Sequence, residues 1–512
     1  MTYLLGIDVG TTGVKTLLID AQGNVGARAV EEYPMYTPRP QWAEQDPEDW
    51  WQATVRSVRR VLKESGIRVD DIAGIGLTGQ MHGMVMLDAR GKVLRPCIMW
   101  NDQRTGEQCE WIMNLIGRQR FLDLTLNPAL PGFTAPKIIW TREHEPEVYA
   151  KAAKVLLPKD YIRYRLTGVY ATEVSDASGT VLLDVSHRRW SDEVLRELAI
   201  PADWMPECVE SPEITGKITA EVADLTGLPV GLPVVGGAGD QAASAVGTGI
   251  VEPGLVSVTL GTSGVVFAYT EQPSRDPEGR LHTFCHAVPG KWHVMGVTLS
   301  AGGSFRWFRD SLGLMEKNVA WMSGVDPYEI LTAEAANAPV GSEGLLFLPY
   351  LTGERTPYAD PNARGTFFGL TLRHDKRHMV RAVLEGVAYS LRDSIELFRD
   401  LAIPIQQVRA AGGGARSVMW RQIMADIFDT ELVTVNVTDS TAFGTALLAG
   451  VGTGVYGSVP EACAATVRIV DRTDPIPENQ ATYNEYYPIY RSLYRALKPA
   501  FDATACIGQG EL

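Results

Sequence analysis

The chain is short of cysteine and of positive charge. Its 512 residues hold six cysteines, Cys97, Cys109, Cys208, Cys285, Cys463 and Cys506, scattered with no C-x-x-C pair. Only Cys285 has histidines close by, His282 and His286, and no second cysteine joins them. That pattern sets aside a disulfide framework or a zinc site in favour of reduced structural thiols. Lys and Arg number 47 against 61 Asp and Glu, a formal net charge of −14. Nucleic acid and anionic membrane both need a basic patch, so neither is expected as the main partner. A phosphorylated ligand stays open, because backbone N–H groups and Mg2+ hold phosphate with little help from Lys or Arg. No apolar run approaches the ~18–20 residues of a membrane span. The first residues, Met1 to Asp8, lack the basic start of a secretion signal, and Asp8 ends their short apolar run. These absences predict a cytoplasmic protein.

What is present is length, glycine and pattern. A chain of 512 residues exceeds one ordinary core, so two large domains are expected, residues 1–250 and 251–512, with the break at Glu252-Pro253-Gly254. Residues 3–8, the turn Val9-Gly10-Thr11-Thr12-Gly13 and residues 14–20 predict a β-hairpin. A helix follows, capped by Asp46, entered at Pro47 and ended by Gly66, with Trp50, Trp51, Val55, Val58, Val61 and Leu62 at helical spacing. An apolar strand over 72–77 then runs into Thr78-Gly79-Gln80-Met81-His82-Gly83. The second half repeats the order. Residues 256–260, the turn Gly261-Thr262-Ser263-Gly264 and residues 265–268 predict another hairpin. A long apolar stripe from Met379 to Phe398 predicts a helix, and a strand over 407–410 enters Gly412-Gly413-Gly414-Ala415-Arg416-Ser417 ahead of a helix over 418–428. The repeat suggests two related α/β domains facing each other across a cleft. The tail from about Asp471 reads as mostly helical.

Several of these segments can carry chemistry. One G-T-[ST]-G turn is an ordinary hairpin turn. Two in matching contexts suggest a nucleotide clamp, with small hydroxyls and N–H groups turned to phosphate oxygens. Asp8 ends the strand before the first turn; a lone acid there can cap a turn, or face a polyphosphate and hold Mg2+ through water. Val234 to Gln241 runs from an apolar strand through small residues to Asp240 and Gln241 at a helix start. An N-cap aspartate is the plain reading, and a carboxylate that takes a proton from a sugar hydroxyl is the functional one. Met81 and His82 lie between glycines directly after a strand, where a polyol can meet them. Leu299 to Ser304, ahead of a helix over 305–312, and Gly412 to Ser417 each bring small residues to a helix N-terminus, a phosphate or adenosine site in form. Neither is a G-x-G-x-x-G nor a Walker A.

Together these segments resemble the FGGY carbohydrate kinases of the actin/Hsp70/hexokinase superfamily, nearly end to end. Gly6-Ile7-Asp8-Val9-Gly10-Thr11-Thr12 is similar to the first phosphate motif, Leu260 to Gly264 to the second, and Ala411 to Ser417 to the adenosine motif. Tyr350-Leu351-Thr352-Gly353-Glu354-Arg355-Thr356-Pro357, continuing to Gly365–Leu370, resembles the C-terminal signature, and Trp42 to Pro47 also fits. The resemblance implies two actin-like (ribonuclease H-like) α/β domains with ATP and sugar in the cleft between them. It implies Asp240 as catalytic base, Asp8 as the Mg2+-organising residue, and Met81, His82, Asp240 and Gln241 on the sugar. Thr11, Thr12, Gly261, Thr262, Gly302, Gly413 and Ser417 fall on the nucleotide. Within the family, Gly79 to Gly83, Pro131 to Lys137 and Met99 to Arg104 are similar to the xylulokinase branch, which implies D-xylulose as acceptor. Gluconokinases also carry Met-His in that loop, so gluconate, ribulose and fuculose stay open, while the Arg-Glu pair of glycerol kinases is absent. An actin-like or Hsp70-like ATPase without a sugar, or a catalytically dead sensor, is the rival class; Gln80-Met81-His82, Asp8 and Asp240 speak against both. A homodimer follows from the family alone.

Overall fold

The computed structural model describes residues 2–509. Among them the backbone forms two seven-stranded sheets built on one plan. In the first, Tyr3–Val9 and Gly13–Asp20 pair as the expected antiparallel hairpin, which places Asp8 opposite Lys15. The helix Pro47–Ser65 follows. Asp46 caps it, its carboxylate accepting from Glu48 N at 2.9 Å, and Gly66 closes it at φ 63°. Its stripe of Trp50, Trp51, Val55, Val58 and Val61 is buried against the sheet. Each such aliphatic side chain contributes roughly 1.5–3 kcal/mol on full burial. The chain then returns as Ile72–Gly79, parallel to Tyr3–Val9, with Thr78 beside Asp8.

The second sheet repeats this: hairpin Gly254–Leu260 and Gly264–Thr270, long helix Lys376–Asp400, then Ile405–Ala411 parallel to the first hairpin strand. Trp292–Thr298 and the edge strand His282–Cys285 extend one side; Leu432–Val435 and Ile469–Thr473 extend the other. The tail forms the helix Pro477–Gln509.

A helix from the second half, Ser440–Gly452, lies on the first sheet and against the helix Asp240–Gly247. The approach is close because glycines line it. A Cβ added at Gly6, Gly76 or Gly444 would lie 1.9 Å from the carbonyl oxygen of Ala442, Thr445 or Ala243 respectively.

Two local expectations are corrected. The helix expected over 305–312 spans Gly302–Ser311, because Gly302 and Gly303 donate to the carbonyls of Gly261 and Thr262 (2.9 Å each) and enter its first turn. Asp240 does not cap its helix. Gly239 holds that position and the carboxylate is the first helical residue, free of the cap bond.

Candidate active site

The first group of side chains gathers where Tyr3–Val9, Ile72–Gly79 and the short strand Ala238–Gly239 end side by side. Asp8 is half-buried there, and its Oδ2 accepts from Thr441 Oγ1 at 2.5 Å. Burial pushes its pKa above the ordinary carboxylate value, against the Thr441 hydrogen bond and the Lys15 charge. Lys15 itself is tied to Asp439 at 2.8 Å. The turn beyond Asp8 is braced from outside. Gln45 Nε2 donates to Thr11 O at 2.7 Å, Trp100 Nε1 to Thr11 Oγ1 at 3.0 Å, and the Tyr33 hydroxyl to Gly10 O. Thr12, at the tip, is exposed.

Asp240 reaches the same place from a backbone held on two sides. The fully buried Arg163 donates through Nη1 to Val235 O and through Nη2 to Gly236 O, both at 2.6 Å, and Gly239 N donates to Ser175 Oγ at 3.1 Å. Burial, then the charge of Asp8, raise the Asp240 pKa to about 7, with hydrogen bonds from Gln241 opposing them. Two carboxylates therefore face each other at the sheet end. Among the described residues no set of three or more His, Cys, Asp or Glu side chains is arranged to hold a metal. A half-buried carboxylate with a second nearby nevertheless matches Mg2+, which takes one or two carboxylates and completes its shell with phosphate oxygens and water.

Met81 packs against Gly239, the residue before Asp240, and His82 follows it. Met81 is buried, and a Cβ at Gly239 would lie 3.0 Å from its side chain. His82 has φ 69°, uncommon for a residue with a side chain. Its carbonyl accepts from Thr134 Oγ1 at 3.1 Å and Lys137 Nζ at 2.7 Å, and its Nδ1 bonds Gly179 O at 2.7 Å. Burial holds the His82 pKa well below the usual imidazole value, so the ring is neutral at pH 7. A neutral ring that donates through Nδ1 keeps Nε2 as an acceptor for a ligand hydroxyl. Lys137 is fully buried, donates also to Gly132 O at 2.7 Å, and is pushed down to about 7 by burial. Phe133 packs on His82 with ring centroids 4.5 Å apart, and Phe284 and His282 of the second sheet's edge strand complete the aromatic cluster. Gln241 follows Asp240 and is half-buried.

The second group stands on the other sheet. The turn at Gly261 and Thr262 is docked on the helix that begins at Gly302, and Arg306 Nη2 donates to Thr262 Oγ1 at 3.0 Å. Gly412, at φ 84°, brings the next loop against Leu260, whose carbonyl oxygen would be 2.5 Å from an added Cβ, while Gly413 faces open space. Ser417 caps the helix Val418–Phe428, its Oγ accepting from Trp420 N at 3.2 Å. The structure thus unites Asp8, Thr11, Met81, His82 and Asp240 in one cluster and Gly261, Thr262, Gly302, Gly413 and Ser417 in another. The amide of Gly302 and the hydroxyl of Ser417 already have partners. Sequence reasoning missed Thr441, Arg163 and Phe284. Lys137 and Trp100 lay in segments noticed only for their resemblance.

Residues 3–247 match the model of the FGGY family of carbohydrate kinases, N-terminal domain, and residues 256–453 that of the C-terminal domain. The chain is 40% identical to the xylulose kinase of Bacillus subtilis over 97% of this chain and 98% of that protein. It is 35% identical to the gluconokinase of the same organism over 99% of each. The solved ligand-bound xylulose kinase from Lactobacillus acidophilus superposes with a TM-score of 0.91 at 28% identity, covering 98% of this chain and 100% of that one.

Proposed function

Because the chain belongs to the FGGY family of carbohydrate kinases, we propose that it transfers the γ-phosphoryl group of ATP to the 5-hydroxyl of D-xylulose. The observation that carries this reading is the Asp240 carboxylate, raised to about 7 and following a glycine that packs on Met81. A base whose pKa lies near the working pH accepts a proton most effectively. Asp240 takes the proton from the acceptor hydroxyl while that oxygen bonds to the γ-phosphorus. The bond from γ-phosphorus to the bridging oxygen breaks, and ADP leaves with the electron pair. His82 Nε2 accepts from a sugar hydroxyl, and Met81 packs on the carbon skeleton. Thr11, Thr12, Gly261, Thr262, Gly302, Gly413 and Ser417 line the nucleotide, the amides of both turns orienting phosphate oxygens. Asp8 and Asp240 fit Mg2+ carried by ATP; the ion supplies neutralisation of phosphate charge, and Asp8 is the residue that would hold it. The rest is positioning of two reactants.

Asp240→Asn is expected to lower kcat by at least ~10²–10⁴-fold, the usual worth of a general base, while ATP still binds by titration calorimetry. Near-normal turnover in that variant overturns the assignment. The acceptor is tested by ADP release across D-xylulose, D-ribulose, L-fuculose and D-gluconate. The gluconokinase relative makes D-gluconate the rival to beat.

A further inference from the structure

The arginines of the interior are paired. Arg95 and Arg104 meet Glu44, Arg163 meets Asp160, Arg381 meets Glu385, and Arg421 meets Asp471. Arg355 differs. Among the described residues its guanidinium has no hydrogen-bond or ion-pair partner, although it is only partly accessible and burial lowers its pKa. Its neighbour Glu354 is already committed. One carboxylate oxygen accepts from Thr298 Oγ1 at 2.6 Å, and the other from Leu299 N at 3.0 Å and the Arg355 backbone N at 2.7 Å. A half-buried guanidinium with no protein partner keeps its five planar donors free for a ligand, and perturbed charged groups of this kind cluster at functional sites.

The surroundings say which ligand. Thr356, the next residue, donates from its N to Val297 O at 3.0 Å and from Oγ1 to Arg280 O at 3.0 Å. This sets Arg355 at the start of the edge strand His282–Cys285. His282 meets Phe133 at 5.7 Å between ring centroids, and Phe133 meets His82 at 4.5 Å. The Arg355 charge acts on both imidazoles, whereas the charge that acts on Asp240 is Asp8. The Thr356 bond to Arg280, two residues before His282, together with the His282–Phe133–His82 ring contacts, puts the segment that carries this guanidinium on the His82 side of the site.

We propose that Arg355 is a specificity-determining residue of the acceptor site, donating to the oxygen-bearing end of the sugar opposite the hydroxyl that Asp240 activates. This rests on the carbohydrate-kinase reading above. A ketose offers that fork a carbonyl and a hydroxyl oxygen. A sugar acid offers a carboxylate, which matches the planar fork bidentately. Arg355 then sets how strongly the pocket holds an acid relative to a ketose.

The test compares the wild type with Arg355→Met and Arg355→Lys. Readouts are KM for D-xylulose, KM for ATP, the competitive inhibition constant of D-gluconate, and melting temperature without ligands. Loss of a charged hydrogen bond is expected to raise the D-xylulose KM of the Met variant by ~10–100-fold. The gluconate constant should rise by more, and the Lys variant should fall between. KM for ATP should stay put, and the ligand-free Met variant should melt no lower than the wild type, because it loses an unpartnered charge. An unchanged D-xylulose KM overturns the proposal. So does an equal rise in KM for ATP, which assigns the guanidinium to the nucleotide. If the wild type rejects D-xylulose but phosphorylates another sugar of the panel, only the substrate assignment falls. The Arg355 comparison is then decided with that sugar.

Discussion

His82 illustrates how a single residue is held in a conformation it would not choose. A left-handed backbone costs a side-chain-bearing residue of order 1–2 kcal/mol, and here two donors on one carbonyl, Thr134 and Lys137, offset it. Lys137→Met removes one donor and leaves the Gly132 and His82 carbonyls short of a partner. KM for the sugar is expected to rise ~10-fold, the worth of one hydrogen bond to a charged group, with KM for ATP unchanged; equal loss on both substrates in steady-state kinetics refutes the positioning role. Asp240 carries a pH signature. Its pKa is raised from 3.8 to about 7, so between these values the folded enzyme holds a proton that the unfolded chain has released. That contribution to stability is fully present below pH 4 and is lost as pH rises through 7. In the proposed reaction Asp240 accepts the proton only when ionised, so kcat/KM for the sugar should fall about tenfold per unit below pH 7, one proton being involved. A profile flat from pH 5.5 to 8.5 is the contrary result. Much of this site was legible in sequence. Asp8, Thr11, Met81, His82 and Asp240 each lie within three residues of the last residue of a strand, and strand ends in α/β sheets are where ligands meet side chains. Lys137 and Thr441 were not legible as contacts, because each sits on a helix whose partner only tertiary packing selects.

At the scale of elements, the helix Ser440–Gly452 fixes Asp8. It delivers Thr441 to the carboxylate only if it rides tightly on the first sheet, and Gly6, Gly76 and Gly444 permit that approach. Gly6→Ala would set a Cβ 1.9 Å from the Ala442 carbonyl oxygen, so the helix must shift outward. Overpacking of this kind costs ~1–3 kcal/mol or more. A lower melting temperature and a lower kcat should appear together. Gly106→Ala is the control, since nothing lies within 4 Å of its added Cβ and its backbone is helical. Relief of glycine's excess chain entropy should leave that variant as stable or slightly more so. Equal melting of both variants speaks against the close-approach account. The hairpins, the Asp46-to-Gly66 helix and the repeat of one plan in both halves were legible because cap, turn and periodicity agree there. The start of the Gly302 helix was not. Its glycines read as a loop, and their helical state depends on carbonyls of a turn some forty residues earlier in the chain.

At the scale of the molecule, the proposed acceptor site is stapled across the two halves. Asn127, fully buried, donates to Thr283 O at 2.7 Å and accepts from Thr283 N at 3.3 Å. Ser178 Oγ accepts from Cys285 N at 3.0 Å, and Trp292 Nε1 donates to Val185 O at 2.8 Å. The edge strand His282–Cys285 is thereby pinned to segments of the first half, and with it the aromatic cluster around His82. A second tie, Arg409 to Thr248 O at 2.5 Å and Lys15 to Asp439 at 2.8 Å, joins the halves on the Asp8 side. These staples preform the proposed sugar wall, so the acceptor is expected to bind before any nucleotide arrives. Calorimetry should then detect D-xylulose binding to the nucleotide-free protein. Asn127→Ala removes the Asn127 partner from the backbone N–H and C=O of buried Thr283, a penalty of ~1–3 kcal/mol per group left unpaired. Release of the edge strand relieves that penalty at the expense of the aromatic wall. The variant should bind sugar at least several-fold more weakly while its affinity for ATP, proposed to rest on the turns at Gly10 and Gly261, is preserved. A variant that loses ATP instead, or keeps its sugar affinity, shows that the wall is assembled by some other contact and that the Asn127 staple only supports the fold.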